Sequence, residues 1–84
     1  MEERLLDLLE RFRERLPSQD FAHVQEMATH LEWGIGLEDL CTQLYEHSIP
    51  VEPSELETIK TLTSAMGLPP ATWRFLDPET RTAG

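Results

Sequence analysis

Hydrophobic residues recur along this chain at three- and four-residue steps, the spacing of amphipathic helices. The first stripe ends at Pro17 and consists of Leu5, Leu8, Leu9, Phe12 and Leu16. The second consists of Phe21, Val24, Met27, Ala28 and Leu31. We expect Ser18 or Asp20 to cap the second helix and Gly34 to end it.

A third helix is predicted from about Leu37 to His47, with Leu37, Leu40, Cys41 and Leu44 facing inward. It must stop before Pro50, because the residue preceding a proline avoids helical geometry. A fourth helix begins at Pro53, places Glu55 in its first turn and ends at Gly67. Its apolar positions are Leu56, Ile59, Leu62 and Met66.

The segment PPATWRFL predicts a short last helix whose apolar residues cap the bundle. No segment alternates with period two, so the pattern indicates an all-α fold, a small bundle of four main helices plus a short C-terminal helix. At 84 residues the chain fits one domain, which we place at residues 1–77, with a disordered tail at 78–84. Homodimerisation would bury apolar surface that so small a core leaves open.

Charge is distributed unevenly along the chain. Its net charge is −9, and no Lys or Arg occurs between Leu16 and Ile59. The acids in that interval are Asp20, Glu26, Glu32, Glu38, Asp39, Glu46, Glu52, Glu55 and Glu57. An acidic block of this length repels nucleic acid and attracts basic proteins, so we expect no nucleic-acid partner.

The sequence favours a cytoplasmic protein. Cys41 is the single cysteine, so no intrachain disulfide can form. The charged first segment lacks the apolar stretch of a signal peptide, and no later stretch is long enough to span a membrane.

Candidates for chemistry are weak. His23, Glu26 and His30 share one side of the second helix, but histidines seven residues apart lie about 10 Å from each other along the axis, which disfavours a metal site. Cys41 and His47 project from nearly opposite sides of the third helix, and Cys41 fits a small core residue. The sequence therefore predicts no catalytic residue, metal ligand or cofactor site.

The outer face of the third helix is the preferred binding surface. Asp39, Thr42, Gln43 and Glu46 line up at helical spacing, with no cation nearby to pair with the acids. Trp33 and Tyr45 are residue types enriched in binding hot spots, although Trp33 could equally belong to the core. The predicted partner-binding residues are Glu26, Glu32, Trp33, Glu38, Asp39, Gln43, Tyr45 and Glu46.

The stretch EWGIGLEDLCTQLYEHSIP, from Glu32 to Pro50, resembles the signature of MafI-type immunity proteins, small cytoplasmic inhibitors encoded beside polymorphic bacterial toxins. A second run extends the resemblance over roughly residues 21–76, with matches at Glu55, Ile59, Leu62, Ala65, Met66, Gly67, Leu68, Pro70 and Trp73. The most specific element is LCTQLYE. Two positions depart from the pattern, with Gly36 where alanine is expected and Thr42 where an acid is common.

The resemblance implies an all-α protein without catalytic activity that binds and neutralises a cognate toxin C-terminal domain. A nuclease with a basic cleft is the partner that best complements an acidic surface. The alternative is an acidic helical adaptor or chaperone-like subunit for a basic partner. Genomic context would distinguish it from an immunity protein. An enzyme is a third possible class, but the sequence shows no convergent polar side chains that would support it.

Overall fold

Five helices form the fold of residues 1–78, the part of the chain that the computed structural model describes. They are α1 (Glu2–Glu10), α2 (Ser18–Thr29), α3 (Trp33–Glu46), α4 (Pro53–Ala65) and α5 (Ala71–Arg74). No strand occurs in these 78 residues, which confirms the predicted all-α bundle. The predicted disordered tail lies outside the described residues, except for Pro78.

The core is built from the stripes that the sequence pattern predicts, except that Leu31 is exposed and Met27 and Met66 are only partly buried. Its buried apolar residues are Leu5, Leu8, Leu9, Phe12, Leu16, Phe21, Val24, Ala28, Leu37, Leu40, Cys41, Leu44, Leu56, Ile59, Leu62 and Leu76. α2 packs most extensively on α3, and α1 lies against α2, α3 and α4. The outer faces of α2 and α3 thus form one continuous side of the bundle.

The first helix is shorter than predicted. Regular α-helix ends at Glu10 rather than at Pro17, and the chain continues in tighter turns with Phe12 N–H bonded to Leu9 O at 2.9 Å. Bonds of this shorter span are common where a helix ends. Phe12 and Leu16 nevertheless remain buried, so the apolar pattern predicts burial correctly where it misjudges the helix end.

The second helix ends five residues before Gly34. Neither Ser18 nor Asp20 caps its start, since Pro17 holds the cap position. At its end Leu31 adopts φ 63°, and the Glu32 N–H donates to Met27 O at 2.9 Å. This is the Schellman ending, whose left-handed position is usually glycine. Leu31 therefore leaves the predicted stripe and is 69 % exposed.

The ends of α3 and α4 repeat this geometry. Ser48 has φ 51° and Ile49 N–H donates to Leu44 O at 2.9 Å, while Gly67 has φ 73° and Leu68 N–H donates to Thr63 O at 3.0 Å. Only Gly67 is the residue type that the conformation prefers. The sequence therefore predicts the end of α4 closely, but gives a weaker signal at the end of α2.

The third helix begins at Trp33, four residues earlier than predicted, so Gly34 and Gly36 lie inside it. Gly36 is buried, and a β-carbon there would lie 3.4 Å from Leu5 Cδ2 and 3.4 Å from Met27 Cβ. The missing side chain lets α3 approach α1 and α2 closely.

The fourth and fifth helices follow the prediction. Pro53 begins α4, and the Glu55 carboxylate accepts the Glu52 N–H at 2.9 Å. Beyond α5, Leu76 is buried and Phe75 packs against the core. Within residues 1–78, no helix combines the length and apolar character needed to cross a membrane.

Candidate partner-binding surface

The exposed face of α3 is rotated by about one residue from the predicted one. Its exposed side chains are Ile35, Glu38, Thr42, Tyr45 and Glu46. Asp39 and Gln43, which the spacing assigned to the outer face, are only partly exposed. The correction follows from the close packing of α3 against α2, which covers this flank of the helix.

Asp39 is engaged within the protein. Its Oδ2 lies 3.1 Å from His23 Nδ1, and Gln43 Nε2 donates to its Oδ1 at 3.4 Å. A second contact of the same kind joins His47 Nε2 to Asp20 Oδ2 at 3.1 Å. An ionised carboxylate can only accept, so both imidazoles donate. The sequence places no lysine or arginine near Asp39, and in the structure its partner is the imidazole of His23.

Four other acids of the surface remain unpaired. No cationic group in residues 1–78 lies within ion-pair distance of Glu26, Glu32, Glu38 or Glu46, all of which are exposed. The structure thus separates the predicted acids into Asp39, which joins α2 to α3, and four carboxylates that face solvent.

Trp33 takes part in both the core and the surface. Its Nε1 donates to Ala28 O at 3.1 Å, which satisfies a carbonyl at the end of α2, and the ring packs against the core. The same residue lines an open groove on the outside. Trp33 therefore belongs partly to the core, and its role in binding stays a prediction.

Tyr45 lies at the other end of α3. It is 51 % exposed, and its ring forms a T-shaped contact with that of Phe75, with 5.2 Å between centroids and 79° between planes. Tyr45 and Glu46 both border a depression beside Ile49. Contact with Phe75 restricts the ring, so less side-chain conformational entropy would be lost on binding.

An apolar groove, not foreseen from the sequence, opens between the start of α3 and the end of α4. We call it the α3–α4 groove; it has a volume of about 620 Å³, and its apolar lining includes Leu31, Ile35, Met66 and Leu68. Glu32 and Glu38 also border it. The position of Ile35 could have predicted it: if α3 begins at Trp33, helical spacing places Ile35 on the same exposed face as Glu38 and Thr42.

The predicted residues fall into three groups. Glu32, Trp33 and Glu38 surround the α3–α4 groove, and a shallow depression joins Glu32 to Glu26. Tyr45 and Glu46 lie together farther along α3. Asp39 and Gln43 face α2. The α3–α4 groove thus lies beside three of the predicted residues, two of which are acidic.

Metal and thiol chemistry find no support at this surface. His23, Glu26 and His30 border one depression, but no three His, Cys, Asp or Glu side chains in residues 1–78 are arranged to hold a metal ion. Burial, with a smaller contribution from Glu38, raises the pKa of the Cys41 thiol to about 12. The thiol therefore stays protonated at neutral pH and is a poor nucleophile.

No protein-family model, curated protein or solved structure matches this chain.

Proposed function

We propose that this chain is an immunity protein, which binds a cognate bacterial toxin domain in the cytoplasm and blocks its active site or substrate cleft. The observation that carries the proposal is the set of unpaired, exposed carboxylates Glu26, Glu32, Glu38 and Glu46 along α2 and α3. The segment from Glu32 to Pro50, which resembles MafI-type immunity proteins, lies in this same part of the molecule.

The charge distribution favours a basic partner. No lysine or arginine occurs between residues 16 and 59, so nothing in these helices would repel a cationic surface. Nuclease domains bind phosphate through basic clefts, and an acidic protein meets such a cleft with complementary potential. Occlusion of the cleft requires affinity and shape but no catalytic group, which agrees with a buried and protonated Cys41.

Co-expression with the toxin domain encoded immediately upstream tests the proposal. We expect a stable complex with nanomolar affinity, which corresponds to about −12 kcal/mol. Nuclease activity should be lost at equimolar inhibitor, and the affinity should weaken as salt screens the acidic surface.

Two results would contradict the proposal. One is the absence of a complex, and the other is a complex in which the toxin domain stays fully active. The second would favour an acidic adaptor for a basic protein, because an adaptor binds its partner without abolishing its activity.

A further inference from the structure

The α3–α4 groove leaves large apolar side chains open to solvent. Leu31 is 69 % exposed and Ile35 is 53 % exposed, and both line the groove together with Met66 and Leu68. Adjacent exposed apolar residues that are flanked by polar ones often mark an interaction site. The groove is therefore a candidate contact surface within the acidic side of the bundle.

Leu31 occupies a backbone conformation that its side chain disfavours. Its φ of 63° belongs to the left-handed region, where glycine or asparagine is the usual choice. The leucine side chain gains little burial in return, because most of it faces solvent. The stability of the isolated chain does not explain a leucine here, whereas contact with a partner would.

The charged side chains that line the groove are both acidic, and Met1 adds the amino terminus of the chain. Glu32 and Glu38 are exposed at its edges, and neither pairs with a cation in residues 1–78. Its lining contains no lysine or arginine. An occupant must therefore supply an apolar group for the centre and positive charge for the rim.

We propose that the α3–α4 groove receives an aliphatic or aromatic side chain from a Lys- or Arg-bearing segment of the toxin domain, with the cations pairing to Glu32 and Glu38. This inference rests on the proposed function and specifies the chemistry of the contact. A second copy of this chain fits less well, because two grooves placed face to face would oppose their own acidic rims in molecules that each carry −9.

Two groove variants and one control test the apolar contact. Leu31→Gly removes the side chain while suiting the left-handed backbone, and Ile35→Glu places a charge in the groove. Thr58→Glu adds the same charge at an exposed site on α4 that does not line the groove. We expect the dissociation constant for the toxin domain to rise at least about tenfold in both groove variants and by less than about twofold in Thr58→Glu.

The dissociation constants can be compared only if the variants fold as the wild type does. We expect Leu31→Gly to unfold at the same temperature as the wild type or above it, because it relieves the strained residue. Weaker binding without loss of stability would therefore report the missing contact itself.

The acidic rim is tested by Glu32→Gln and Glu38→Gln. Each should reduce the dependence of affinity on salt, whereas Glu14→Gln, an exposed acid on the segment after α1, should not. Equal salt dependence in all three variants would overturn the pairing of cations with the rim.

The outcomes separate this inference from the proposed function. If both groove variants bind the toxin domain as tightly as the wild type, the groove contact is wrong, but the proposed immunity function is not contradicted. Failure of the wild type to bind overturns both. A wild-type dimer that Ile35→Glu converts to a monomer would assign the groove to a second copy, against the inference.

Discussion

The buried carboxylate of Glu55 and the guanidinium of Arg15 form a two-point ion pair across forty residues of sequence. The two Glu55 oxygens lie 3.1 and 2.5 Å from the terminal nitrogens of Arg15. Arg11 Nε approaches the same carboxylate at 3.3 Å, and Glu55 is only 1 % exposed. One acid of the acidic block is thereby neutralised inside the fold and fastens the segment after α1 to the start of α4.

Replacement of Arg15 by methionine should destabilise the protein by about 2–4 kcal/mol, because it leaves a buried carboxylate short of its main partner. The Pro50 carbonyl would also lose a donor that now lies at 2.9 Å. Urea unfolding followed by circular dichroism measures the change. Arg4→Met, at an exposed arginine without an ion pair in the described residues, is the control and should leave the midpoint unchanged.

Acid should weaken the fold partly through Glu55. Burial alone would raise the pKa of this carboxyl, but hydrogen bonds from Arg15 and the Glu52 N–H, with the charges of Arg15 and Arg11, hold the pKa below its usual value. A depressed pKa contributes stability above the unfolded-state value and loses it as pH falls through the folded-state value. As the pH falls below about 4.5, the free energy of unfolding should decrease less steeply in Glu55→Gln than in the wild type. Parallel curves would show that Glu55 is not linked to folding.

The apolar pattern predicts the core well because burial depends on helical periodicity, which tolerates errors at the ends of helices. Phe12 and Leu16 stay buried although regular helix stops at Glu10. The prediction that Leu31 is buried is wrong for a local reason. Its left-handed backbone turns it out of the stripe, and a leucine gives no sequence signal for such a conformation.

The candidate surface is predictable only in part, because pairing between helices depends on tertiary geometry. Composition locates the acids on α2 and α3, but it does not indicate that His23 lies against Asp39 or His47 against Asp20. Nor does it show that Ile35 and Leu68, more than thirty residues apart, line one groove. These relationships emerge only when α3 is packed against α2 and α4.

Cys41 should resist thiol reagents in the folded protein. Its side chain is fully buried and burial raises its pKa to about 12, so almost no thiolate exists at pH 8. Labelling with a chromogenic disulfide should be slow in buffer and complete rapidly in concentrated urea. Fast labelling under native conditions would reveal an accessible thiol and revive an enzymatic interpretation.

Alanine should have opposite effects at two glycines. Gly67→Ala should lower stability by about 1 kcal/mol, because φ of 73° is unfavourable for a residue with a β-carbon. Gly34→Ala should raise stability by up to about 1 kcal/mol through helix propensity. Its β-carbon would lie 3.7 Å from Leu68 Cδ2, an ordinary contact. Thermal unfolding measures both changes, and the same sign in both would contradict the assigned backbone conformations.

The unpaired and the engaged acids of α3 should respond differently to loss of charge. Glu38→Gln and Glu46→Gln should slow association with the toxin domain severalfold at low salt and leave folding unchanged, because both carboxylates are exposed and unpaired. Asp39→Asn removes the same charge but also weakens the contact with His23, so stability should decrease slightly, by up to about 1 kcal/mol.

Stopped-flow association at several salt concentrations, combined with urea unfolding, separates the two effects. If all three variants associate as fast as the wild type at every salt concentration, the partner does not approach along α3. If Glu46→Gln alone is unaffected, the contact lies towards the α3–α4 groove, because Glu38 borders that groove and Glu46 lies at the far end of the helix.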